Sequence, residues 1–282
     1  MKMKRLWSGC LLLFVLVPAP PAAALSLLGG LLGTGGSISL PISLSGLLGS
    51  LTVAFENVTG LSLLDLGVSI ILVSPTDPAL LARLPAGVTI PSTLPILVHI
   101  NPAAAGGLSF KGLAKVQIYS LSLLGSPAST RRLYAAPDDG GSFVDITNEP
   151  QSASLIDLGT SYRVSGSRGG FSEFLIVNDA TALSTAVGAK LDLLDGLLAD
   201  YGTEIAAPVR ATLLAQLATV RTDVGLGNTA AAILDLNTFL STVVAHSGAD
   251  IPDVWRAARD LDDVAGLLRA EGNTLLFSLQ AM

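Results

Sequence analysis

Residues 161–180, SYRVSGSRGGFSEFLIVNDA, separate two textures of sequence. Before them come short β-branched runs broken by Gly, Pro and Asp turns. After them come Leu/Ala segments whose apolar residues repeat at three and four, the helical spacing. Within the stretch, Tyr162 and Val164 alternate with Arg163 and Ser165, and FLIV at 174–177 reads as a buried strand or a helix fragment. The intervening SGSRGG has turn chemistry, because Gly166, Gly169 and Gly170 accept positive φ. Together these features predict a β-hairpin that closes a sandwich just before the chain leaves for the helices.

Toward the N-terminus, Leu51–Asn57 (LTVAFEN) and Val68–Val73 (VSIILV) are the first clear strands. Ile96–Ile100, Leu113–Leu121, Arg131–Tyr134 and Ser142–Ile146 follow, and Asp77-Pro78 opens a short helical turn between them. With the hairpin, about eight short strands lie in 50–179 with no long helix between them, which predicts an antiparallel β-sandwich and argues against an α/β fold.

Toward the C-terminus, one helix carries Leu183, Val187, Leu191, Leu194 and Leu198 and ends at Gly202. A second runs from Pro208 to Gly225, and a third follows Asn228 with Leu236, Phe239 and Val243 on its apolar stripe. A fourth is opened by Pro252 and carries Trp255, Ala258, Leu261, Ala265 and Leu268; TLLFSL at 274–279 extends it or folds back as a strand. The expected fold class is therefore multidomain: an antiparallel β-sandwich followed by an all-α antiparallel helix bundle over 181–282.

Lys2, Lys4 and Arg5, an apolar run from Leu11 to Val17, and Ala22-Ala23-Ala24 have the order of a secretory signal peptide. Cleavage leaves Leu25 as the mature N-terminus and predicts a periplasmic or secreted protein. The apolar run is too short to span a bilayer. Residues 25–49 are a Leu, Gly and Ser leader, read as poorly ordered or as an added edge strand. Removing residues 1–24 takes three of the 16 Lys and Arg and none of the 22 Asp and Glu, so the remainder is acidic and has no footprint for nucleic acid. The single cysteine, Cys10, leaves as well, which excludes a disulfide, a thiol nucleophile or a thiolate metal site.

Few residues carry candidate chemistry. His99 in ILVHI and His246 near the end of the third helix stand one in each half and form neither a zinc set nor a triad in sequence. Asp138, Asp139 and Asp145 cluster in PDDGGSFVD; their spacing departs from the EF-hand pattern, so a hairpin turn is the first reading and a loose calcium site the second. Asp260, Asp262 and Asp263 read as solvated, with Arg256 to Asp260 and Arg259 to Asp263 at i, i+4. Trp255 falls on the apolar stripe and reads as core. No catalytic, cofactor-binding or metal residue is assigned.

RRLYAAPDDGGSFVDIT at 131–147 with GGFSEFLIV at 169–177 resembles the end of the β-sandwich modules of ankyrins and netrin receptors. Relatives of that module cleave themselves between Phe and Ser of a His-Phe-Ser motif. Here the triplet is Gly170-Phe171-Ser172, which lacks the activating His, so the chain is expected to stay intact. GN at 227–228 and FLSTVVAHSG at 239–248 resemble FIMAH-type helical modules of secreted bacterial proteins, which implies a non-catalytic role. WRAARDLDDVAGLL at 255–268 reads as a family signature. The expected function is a non-enzymatic binding or structural role at the envelope or outside the cell, with a protein or glycan partner. The alternative is a hydrolase or lyase acting on an extracellular polymer, with a carboxylate pair drawn from Asp138, Asp145 and Glu173.

Overall fold

The computed structural model describes residues 35–44, 47–120, 130–137, 140–148 and 162–282. Its strands are β1 (Gly36–Leu44), β2 (Leu47–Thr59), β3 (Val68–Leu72), β4 (Ile96–Ile100), β5 (Ser109–Ser120), β6 (Arg131–Ala136), β7 (Val144–Asp145), β8 (Tyr162–Arg168), β9 (Glu173–Asn178) and β10 (Val254–Arg256). A short helix, α1 (Pro78–Leu81), precedes four long ones: α2 (Leu183–Asp200), α3 (Ala207–Gly225), α4 (Thr229–His246) and α5 (Val264–Gln280).

The strands form two antiparallel sheets. The first has the order β1-β2-β5-β10, with β8 also on β5; the second has the order β3-β4-β9-β6-β7. Alternation along each strand sends Val53, Phe55, Val116 and Ile118 of the first sheet and Ile96, Val98, Phe174 and Ile176 of the second into a common core. The second sheet is apolar on its other face too. There Leu97, Tyr134, Leu175 and Val177 are covered by Leu80, Leu84, Val88 and Ile90. This is why β9 reads as a continuous apolar run with no alternation.

Residues 162–178 are not a hairpin. β8 pairs with β5 in the first sheet, β9 pairs with β4 and β6 in the second, and the two strands do not pair with each other. The glycines expected to make the turn serve close approach instead. A Cβ at Gly166 would lie 2.4 Å from the Ile146 carbonyl oxygen, and one at Gly169 would lie 2.4 Å from the Leu267 nitrogen of α5.

The expected fold class is corrected by the C-terminal half, which is not an all-α bundle. Helices and strands interleave, so the fold is mixed α and β, strand-rich early and helical late. α2, α3 and α4 occupy the predicted segments around a core of Val187, Leu194, Leu213, Leu217, Leu236 and Phe239. The predicted fourth helix forms only in its second half. Val254–Arg256 instead pairs with Ser109–Lys111 of β5, and the chain turns at Arg259, whose φ of 58° no helix accommodates.

The cause is Trp255. Its ring stacks on Phe110 at 5.3 Å and meets Phe171 edge-on at 5.0 Å, inside the sandwich core. No helical stripe on the bundle reaches that environment. α5 starts only after Asp263, whose carboxylate accepts the Gly266 N–H at 2.6 Å, and it runs through 274–279 as helix. Part of the expected leader is also built in: β1 pairs with β2 through residues 36–44 as the edge of the first sheet, with Pro41 on it.

Candidate functional site

Glu173 opens β9 on the outer face of the second sheet and is buried. Arg83, just after α1, pairs with its Oε2, donates through Nε to the Gly141 carbonyl at 2.9 Å, and lies 4.5 Å over the Phe143 ring. His99 lies directly across from Glu173 on β4, with Nδ1 3.4 Å from Oε1. The structure therefore joins two residues named from sequence, His99 and Glu173, and adds Arg83, which sequence reasoning missed.

Asp145, the other described member of the expected carboxylate pair, is held elsewhere. Lys190 of α2 reaches its Oδ2 at 2.6 Å. Glu173 and Asp145 are thus each neutralised by a different cation. Asp138 and Asp139 lie outside the described residues, so the calcium reading retains one described member, and that member is bound to an ammonium. Among the described residues no group of three or more His, Cys, Asp or Glu is placed to hold a metal ion.

The remaining named residues serve the frame. His246 Nδ1 lies 2.6 Å from Asp250 Oδ2 at the end of α4. Asp260 pairs with Arg256, and Asp262 accepts from the Tyr201 hydroxyl at 3.4 Å. Asp263 is not solvated: it is fully buried, and burial pushes its pKa up to about 7, with Asp253 adding repulsion and Arg269 opposing. Arg259 bonds to Asn101 Oδ1 at 3.1 Å, not to Asp263. Arg168 at the end of β8 and Glu271 of α5 approach to 3.8 Å in a buried pair. Desolvation raises the Glu271 pKa and lowers that of Arg168, so each is pushed toward its neutral form.

Where α5 crosses the first sheet a cleft of about 280 Å³ opens, lined by Leu113, Asn148, Ser167, Asn273, Phe277 and Gln280. No ionisable group is among its described lining residues. Asn148 donates through Nδ2 to Ser167 Oγ at 2.7 Å, while its buried Oδ1 has no hydrogen-bond partner. Arg132 lies 5.8 Å from the Phe277 ring centroid. A ligand hydroxyl would satisfy the amide oxygen, and the other amides can donate or accept. None of these residues stood out in sequence, because single Asn, Ser and Gln residues carry no spacing signal before the helix is docked.

Among the described residues no helix is long and apolar enough to cross a membrane. No curated protein matches the chain. A family model does, and it spans both halves, so sandwich and helices are inherited together; it lends no support to the ankyrin, netrin-receptor or FIMAH likenesses of the shorter stretches. With residues 12–282 matched, the chain belongs to the family of unknown function DUF6689.

Proposed function

We propose that the protein is exported and holds a neutral, hydroxyl-rich partner, such as a glycan chain, at the cell envelope or outside it, without a carboxylate pair. The observation that carries this reading is the α5 cleft, with its uncharged described lining and the unpartnered buried Asn148 Oδ1. A buried acceptor without a partner costs about 1–3 kcal/mol, which a ligand hydroxyl would return. Amide and serine groups beside an aromatic face suit a ring carrying hydroxyls better than an ion. The engagement of Asp145 by Lys190 and of Glu173 by Arg83 weighs against carboxylate-pair hydrolysis, which needs both groups at the scissile bond. The residue order of 1–24 supports export.

Calorimetric titration of the chain beginning at Leu25 with a panel of neutral oligosaccharides tests the binding. Saturable binding that weakens at least about tenfold in both Asn148→Ala and Phe277→Ala is expected. Absence of binding across the panel, or equal affinity in the variants, overturns it.

A further inference from the structure

The register of the second sheet sets Ser69, His99 and Glu173 in one row across β3, β4 and β9. Ser69 lies opposite His99, and His99 lies opposite Glu173. Directly opposed residues leave the same face of an antiparallel sheet. Here that face is the outer one, because Val98, Ile100 and Phe174 point into the core.

The hydrogen-bond ladder sets the spacing within the row. The Asn101 N–H donates to the Gly67 carbonyl at 3.2 Å and the Val73 N–H to the Pro95 carbonyl at 2.8 Å. The odd positions of β3 are therefore the hydrogen-bonded ones, and Ser69 and His99 have Cα atoms ~5.5 Å apart. The Ile100 N–H donates to the Ser172 carbonyl at 3.2 Å, which makes His99 and Glu173 a non-hydrogen-bonded pair, the class with Cα atoms ~4.5 Å apart and the closest side chains. This accounts for the contact of His99 Nδ1 with Glu173 and leaves Nε2 as the imidazole nitrogen that does not face the carboxylate. Solvent access rises along the row: Glu173 is buried and fixed by Arg83, the His99 side chain is 31 % exposed, and Ser69 is exposed.

We propose that Ser69, His99 and Glu173 form a nucleophilic serine site acting on small carboxylic esters, an activity separate from ligand binding at the α5 cleft. Glu173 is a positioning residue whose carboxylate, 3.4 Å from Nδ1, favours the tautomer protonated there and so presents Nε2 as the base. Ser69 Oγ bonds to the ester carbonyl carbon, and its proton passes to His99 Nε2. The tetrahedral intermediate then expels the alkoxide, which takes that proton and leaves as the alcohol, and water hydrolyses the acyl-serine by the reverse proton route.

An oxyanion donor is at hand. Among the described residues β3 pairs on one side only, and the N–H of Ile70, at a position alternating with the bonded ones, points to the open edge. It follows the nucleophile directly, as an oxyanion-hole donor does in hydrolases of another fold. Ile71 is next along the same face and 46 % exposed, so it offers an apolar contact to a short aliphatic acyl chain.

The chain beginning at Leu25 is treated with a fluorophosphonate probe, in which Ser69 Oγ displaces fluoride from phosphorus, and is assayed with p-nitrophenyl butyrate. One adduct on the peptide containing Ser69 is expected, lost in Ser69→Ala. Labelling should slow at least about 100-fold in His99→Ala and in His99→Gln. Both positions are solvent-accessible, so thermal unfolding should be unchanged, which separates chemistry from folding. No adduct, an adduct that persists in Ser69→Ala, or an unchanged rate in both His99 variants overturns the proposal. Glycan titration of Ser69→Ala, expected to match the unsubstituted chain, keeps this result distinct from that for the cleft.

Discussion

Lys190 Nζ lies 2.6 Å from Asp145 Oδ2, with 3 % of the lysine side chain exposed. The same ammonium donates to Ser278 Oγ at 2.7 Å and to the Thr274 carbonyl at 3.3 Å, so one charge ties α2, α5 and β7 together. Removing one partner of such a pair leaves the other charge buried and uncompensated, at a cost of about 3–5 kcal/mol. Lys190→Met should lose that much in urea unfolding, and Lys190→Met with Asp145→Asn should recover most of it. Equal stability of the single variant and the unsubstituted chain would refute the role.

Trp255 makes the helical half dependent on the sandwich. Truncation to Ala should cost about 3–5 kcal/mol through the cavity left beside Phe110 and Phe171. By the same reasoning a fragment of residues 181–282 should lack a cooperative thermal transition. It strands β10 and Trp255 and cuts the pairing of Arg269 with Glu56, both contacts of which are 2.8 Å. A sharp calorimetric transition of the fragment would contradict this.

Asp263 makes stability depend on pH near neutrality. Its carboxyl titrates at about 7 in the fold against about 3.9 unfolded, so the folded state binds the extra proton between those values. Its contribution is complete below pH ~4 and is lost as pH rises through about 7, up to about 4 kcal/mol in all. Asp253 faces the group and adds to the loss, whereas Arg269 and the N–H groups of Gly266 and Gly112 moderate it. Asp263→Asn keeps a capping oxygen and should flatten this part of the profile. Denaturant midpoints measured from pH 4 to 8 in both proteins test the difference, and parallel curves would refute it.

Ser172 is fully buried and its Oγ has no hydrogen-bond partner. The adjacent carboxylate, Glu173, is on the opposite face and bound to Arg83. With no base in contact, the Phe171–Ser172 bond should remain whole, giving a single band under denaturing conditions and the intact mass. Ser172→Ala removes an unsatisfied hydroxyl and should raise stability by about 1 kcal/mol. A new N-terminus at Ser172 would reverse both expectations.

The positions of β2 to β9 and the first three long helices were legible because each rests on local periodicity. The Asp263 cap was not, since Trp255, Ala258, Leu261, Ala265 and Leu268 keep helical spacing across a segment that is half strand and turn. The burial of an indole in a distant aromatic cluster overrides that spacing. Gly166 and Gly169 misled in the same way: glycine permits a turn and equally permits another backbone to approach, and sequence alone does not separate the two. In the site, His99 and Glu173 were visible as single residues. Their partners Arg83 and Ser69 come from strand register and loop docking, which no short-range pattern encodes.

The insertion of β10 fixes an order of events for the nascent chain. Phe110 and its edge of β5 wait for Trp255, which lies about half the chain length away and emerges only after three complete helices. Contacts of such sequence separation form slowly, because the closure entropy falls due before the contacts return anything. Until the C-terminal residues arrive, the first sheet keeps an open edge and an unfilled aromatic pocket, so the N-terminal half cannot lock on its own.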